Sequence, residues 1–114
     1  PYTTLFRSTM DQREAIKIAN QYADVLANKF LGIKVIMFGS YIKGNYHKDS
    51  DIDIAVVFKD YANLIEMQVE LMRLRRNIDS RIEPHPFRES DFEISNPIVS
   101  EILKYGREIR NSVA

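Results

Sequence analysis

Gly39-Ser40, ten intervening residues, then Asp51-Ile52-Asp53 is the stretch of this chain with the most chemical content. Phosphate oxygens are bound by backbone N–H groups and hydroxyls, which a glycine–serine bend supplies. The divalent cation that accompanies a polyphosphate prefers carboxylate oxygens, which the two aspartates supply. Side chains alternate faces along a strand, so Asp51 and Asp53 project to one side. Ile52, Ile54 and Val56 project to the other and can anchor the strand in a core. Lys43 and Lys48 flank the bend, and Lys43 is the candidate for a further phosphate contact. Taken alone, the aspartates would read as solvated acids at a strand start, and Ser40 as an ordinary cap. The two halves together favour phosphoryl chemistry.

The bend and the acids need strands to hold them. Residues 33–38 form a short, nearly continuous apolar run, read as a central strand ending at the bend. Residues 40–43 make one helical turn, and Gly44 and Asn45 open a loop through residue 50. Residues 51–58 are the second strand. Upstream, Asp11 and Glu14 have the spacing of a reciprocal cap. Ile16, Ala19, Ala23, Leu26 and Phe30 then recur at helical spacing to about Lys29, and Gly32 ends the helix. Downstream, Asp60 or Asn63 starts a second long helix with Leu64, Met67, Leu71 and Leu74 on one face. Residues 78–85 are read as a third strand, which Pro84 limits to an edge or stops from pairing. Asn96 and Pro97 open a last helix to Tyr105, closed by Gly106. The order helix, strand, strand, helix, strand, helix predicts an α/β or α+β domain, a small mixed sheet flanked by helices.

With 114 residues the chain can form one domain around one modest core. No apolar stretch reaches the ~18–20 residues a bilayer span needs, and no signal peptide is visible. Cysteine is absent, which excludes disulfides and thiolate metal sites and makes the cytoplasm the expected compartment. The formal net charge is zero, against the basic excess of a general nucleic-acid binder. One nucleotide or one RNA end stays compatible with that charge. Residues 1–8, PYTTLFRS, look like the in-frame translation of a sequencing adapter. They are expected to stand outside the fold, leaving 10–114 as a single domain.

The run FGSYIKGNYHKDSDIDIAVV, residues 38–57, resembles the G-S, spacer, D-x-D signature of the nucleotidyltransferase superfamily that includes DNA polymerase beta. Within it, the chain is most similar to the minimal nucleotidyltransferases of bacteria and archaea, over nearly its whole length. The resemblance implies the nucleotidyltransferase fold of the polymerase beta type. It implies transfer of a nucleoside monophosphate, AMP from ATP, to an acceptor. It also implies two Mg²⁺ ions held by Asp51, Asp53 and a third carboxylate from a later strand. Glu83 is the candidate third acid, with Arg81 as its alternative surface partner, and Asp79 is the runner-up. Gly39 and Ser40, with Lys43, would hold the phosphates. Gly44 agrees with the family's second glycine. Many relatives carry aspartate where Glu83 stands, and arginine shortly after the bend, where this chain has Tyr41 and Lys43.

Beyond the acidic strand the chain has room to finish the sheet and little more, so the acceptor surface is expected from another chain. Minimal nucleotidyltransferases are often encoded beside a helical HEPN toxin, which some of them adenylylate. The resemblance therefore implies an antitoxin with a HEPN-type partner, in a homo- or hetero-oligomer. Two other readings stand beside it: a module that neutralises its partner by contact alone, and a small-molecule (antibiotic) nucleotidyltransferase. The remaining polar candidates have plainer readings. His47 and His85 form no ligand pair by spacing and are read as surface residues. Arg73, Arg75 and Arg76 complement the end of a helix. Tyr41, Tyr46 and Tyr61 are read as packing residues.

Overall fold

The computed structural model describes residues 10–113; the adapter-like residues 1–8 lie outside the described residues. Helix α1 spans Gln12–Lys29, and the Asp11 carboxylate caps it by accepting from the Glu14 N–H at 2.8 Å. Strand β1, Lys34–Phe38, follows, and the one-turn helix α2, Ser40–Lys43, leaves its end. Strand β2 is Ile52–Phe58. Helix α3, Leu64–Leu74, starts at Asn63, whose side chain accepts from the Glu66 N–H. Strand β3 is Ile82–Arg88, helix α4 is Pro97–Tyr105 with Asn96 as its cap, and strand β4 is Arg107–Asn111.

The strands form one mixed sheet in the order β3-β2-β1-β4. β1 pairs antiparallel with both β2 and β4, and β2 pairs parallel with β3. The alternation of β2 explains why the sheet is covered on both faces. Ile52, Ile54, Val56 and Phe58 join Val35, Met37 and Ile82 against α1 and α3, forming the main core. Ala55 faces the other way, with Ile36 and Phe38, into a smaller cluster closed by Ile102 of α4. Asp53 belongs to that second face. Gly106 lets α4 turn into β4 at close quarters, since a Cβ there would stand 2.7 Å from Ile36 Cγ2.

Two expectations needed correction. Residues 78–81 are not strand. They complete a turn in which the Ile78 and Asp79 N–H groups both donate to the Arg75 carbonyl. β3 starts later and runs through both Pro84 and Pro86. These prolines are tolerated because alternate residues of an edge strand turn their backbone away from the neighbour. The outward carbonyls of Ile82 and Pro84 instead accept from Arg75 Nη1 at 2.7 Å and Gln68 Nε2 at 2.9 Å. The second correction is β4, a strand absent from the sequence reading.

The Tyr22 hydroxyl donates to the Leu71 carbonyl at 2.7 Å, deep between α1 and α3. Leu71 lies in the last turn of α3, where the Arg75 N–H donates to Arg73 instead. Burial pushes the Tyr22 phenol well above its ordinary range, so it remains a donor. Tyr22→Phe is expected to leave that carbonyl unpaired and cost about 1–2 kcal/mol in a urea unfolding curve. Nucleotide binding should be unaffected, because Tyr22 sits on the face away from Asp53.

Candidate active site

The open end of the sheet brings the end of β1 beside the start of β2. Asp53 pairs with Phe38 across this junction, and Gly39 follows directly. Gly39 has φ +83° and ψ −157°, a conformation that side chains rarely adopt. The reason lies across the strand: a Cβ on Gly39 would stand 2.3 Å from Asp53 Oδ2. The backbone of the bend is thus packed directly beneath a carboxylate. Gly39 caps α2, and its carbonyl accepts from the N–H groups of Ile42 and Lys43. Ser40 is the first helical residue rather than the cap, and it is half-buried.

Tyr41 anchors this turn from below. It is buried, stacks on Tyr46 with ring centroids 4.7 Å apart, and its carbonyl accepts from Gln12 Nε2. Ser50 closes the intervening loop by accepting from the His47 N–H at 2.9 Å. His47 and the paired tyrosines therefore shape the loop that delivers Asp51. Gly44, in left-handed conformation at φ +88°, ends α2 and starts that loop.

The parallel register sets Glu83 directly beside Asp53. Asp51 precedes β2 and is exposed. Asp79 lies before β3, where its carboxylate accepts from the Arg81 backbone N–H and pairs with the Arg81 guanidinium at 2.7 Å. Arg81 is thus committed to Asp79 and not to Glu83. That guanidinium holds the Asp79 carboxyl below its ordinary range. A depressed folded value stabilises above the unfolded value and fades as pH falls through the folded one. Asp79→Asn should therefore cost under about 1 kcal/mol at neutral pH, the pair being partly exposed. In acid, urea titration should show no difference from the parent.

Lys43 points to α4. Its ammonium pairs with Glu101, which raises its pKa, and lies 5.6 Å from the centre of the Tyr105 ring. The sequence reading set His85 aside, yet His85 sits two residues along β3 from Glu83. Its Nε2 is 3.1 Å from Asp53 Oδ1. The alternation of β3 carried that signal: any reading that turns Glu83 toward the acids turns His85 there too.

Carboxylates are donors suited to a hard divalent cation. Among the described residues, no three acid or histidine side chains are gathered into a ready-made cation site. Mg²⁺ takes one or two protein carboxylates and completes its shell with water and substrate phosphate. Asp53 and Glu83, paired across β2 and β3, present carboxylates side by side, a donor type that such an ion accepts.

A small mixed sheet with a glycine–serine turn packed under an aspartate defines the nucleotidyltransferase class of fold. A family described as "nucleotidyltransferase domain" matches residues 19–109, and the chain belongs to it. Over 79 residues the chain is 30% identical to a candidate protein adenylyltransferase of Methanocaldococcus jannaschii, covering 67% of this chain and 77% of that protein. Its fold matches the structure of a candidate nucleotidyltransferase from Sulfolobus solfataricus with TM-score 0.66 at 22% identity, covering 88% of this chain and 83% of the other. It also matches a chain in the complex of a tri-AMPylated Shewanella oneidensis HEPN toxin with an MNT antitoxin. There the TM-score is 0.59 at 21% identity, with coverage of 85% and 72%. Among the described residues, no helix is long and apolar enough to cross a membrane.

Proposed function

We propose that this nucleotidyltransferase moves AMP from ATP to a hydroxyl side chain of a HEPN-type partner protein, breaking the bond between the α- and β-phosphates and releasing pyrophosphate, and so acts as its antitoxin. The observation that carries this reading is Gly39 packed against Asp53, which joins a phosphate-binding bend to a carboxylate in one contact. The adenylyltransferase relative and the AMPylated toxin complex support the donor and the partner.

In this reading Gly39 admits the phosphates close to the backbone, and Ser40 offers its hydroxyl and amide to them. Asp51 and Asp53 would hold Mg²⁺, with Glu83 beside them on the acceptor side. The ion, when bound, neutralises charge on the phosphates and acidifies a nearby hydroxyl. Glu83 is placed to accept the proton of the acceptor hydroxyl. Lys43 would leave Glu101 to meet the outer phosphates. Fixed geometry and charge supply most of the rate in such transfers.

A second reading, neutralisation by contact alone, is favoured by the exposed apolar residues Ile65 and Val69 on α3, which suit a partner surface. The test is to incubate the protein with Mg²⁺, each labelled nucleoside triphosphate in turn, and the protein encoded beside it. Label is expected on a partner hydroxyl, from ATP. Label from no triphosphate overturns the catalytic reading.

A further inference from the structure

Asp53 is held from two sides. Oδ2 lies against the Gly39 backbone, and Oδ1 lies 3.1 Å from His85 Nε2. An ionised carboxylate only accepts hydrogen bonds, so Nε2 carries the proton and donates it to Oδ1. The imidazole is itself fixed. It packs on the Phe38 ring with centroids 5.1 Å apart, and its strand partner on β2 is the small residue Ala55. The absence of a larger side chain at Ala55 leaves the ring room to lean back toward Asp53.

We propose that His85 is a positioning residue for Asp53: its Nε2–H holds Oδ1, so that Oδ2 stays turned to the Gly39–Ser40 bend, where a nucleotide's divalent cation would be shared. This rests on the nucleotidyl-transfer reading above. Stability gives the contact little reason to exist. The two side chains are 32% and 27% exposed, so water screens the pair and its net contribution to stability is small. Orientation does give it one. Carboxylates that grip a cation are commonly held by a hydrogen bond on their other oxygen, and losing that bond costs about 10–100-fold in affinity or activity. A carboxylate free to rotate divides its time between orientations, and only one of them faces the bend.

His85→Ala and His85→Gln separate this role from packing. The carboxamide of glutamine can present an N–H near the position of Nε2, whereas alanine cannot. Mn²⁺ binding to the full chain with a non-hydrolysable ATP analogue present, read by electron paramagnetic resonance, is expected to weaken about tenfold or more in His85→Ala. It should recover most of that loss in His85→Gln, with thermal midpoints of all three proteins alike. Ring ¹H–¹⁵N correlation spectra of the parent should show His85 as the Nε2–H tautomer, and Asp53→Ala should shift that signal. In the transfer assay, the His85→Ala loss should fall on the Mg²⁺ requirement and kcat rather than on KM for ATP. Parent-like Mn²⁺ binding in His85→Ala overturns the proposal, as does a glutamine variant as weak as the alanine one, or a parent that binds no Mn²⁺. If the parent binds Mn²⁺ but transfers no label, the function reading fails while the Mn²⁺ comparison still decides the role of His85.

Discussion

Replacing Gly39 with alanine is expected to abolish nucleotidyl transfer and to destabilise the fold by about 2–3 kcal/mol. At φ +83° and ψ −157° the residue occupies a region open to little but glycine, worth on the order of 1–3 kcal/mol to any other side chain. The new methyl would also stand 2.3 Å from Asp53 Oδ2 and 3.2 Å from its Cγ. The carboxylate must then swing away from the bend, so the variant loses its geometry even where it still folds. Combining Gly39→Ala with Asp53→Ala tests the cause. Removing the carboxylate relieves the clash and leaves the backbone strain, so unfolding free energies should couple by about 1 kcal/mol. Additive costs would mean that Asp53 does not lie against the bend.

Asp53→Asn is the complementary experiment, large in activity and small in stability. Asparagine keeps the shape and still accepts from His85, but it removes the charge a cation would grip. Losing about 4 kcal/mol of transition-state stabilisation corresponds to a drop of about a thousandfold in transfer. The urea midpoint should shift by less than the equivalent of about 1 kcal/mol, since Asp53 lies outside the apolar clusters. The variant also separates the two proposed readings. Partner neutralisation that survives Asp53→Asn without label belongs to contact. Neutralisation lost together with the label belongs to catalysis.

The elements that were legible in the sequence carry their own local signals. Asp11 caps α1, Asn96-Pro97 and Gly106 bound α4, and apolar runs mark β1 and β2. What was not legible depends on distant partners. β4 reads REIRN, a charged pentapeptide that becomes a strand only because β1 offers it backbone partners. Pro84 marked β3 as an edge, where it lies, but that the strand runs on through Pro86 shows only once the prolines are seen to turn away from β2. The same holds at the site. The close fit of Gly39 and Asp53 was legible as a spacing. The alternation of β3 put His85 on the side of Glu83, but its contact with Asp53 needs the parallel register of β2 and β3, and the pairing of Lys43 with Glu101 needs α4 folded back over the sheet. Asp79 shared a nominal strand with Glu83 in the sequence, and the turn after α3 removed it.

The occupied carbonyls and imino residues along β3 bear on how two molecules of this chain can meet. A foreign strand laid against that rim would find no amide hydrogen at Pro84 or Pro86, and oxygens already claimed by Gln68 and Arg75. Continuous hydrogen bonding from one molecule into another is thereby confined to the opposite rim. There Arg107 and Glu108 meet any newcomer with exposed charges of both signs, while Arg110 is paired with Asp24. Assembly by helix faces, rather than by merging sheets, is the route this architecture leaves open.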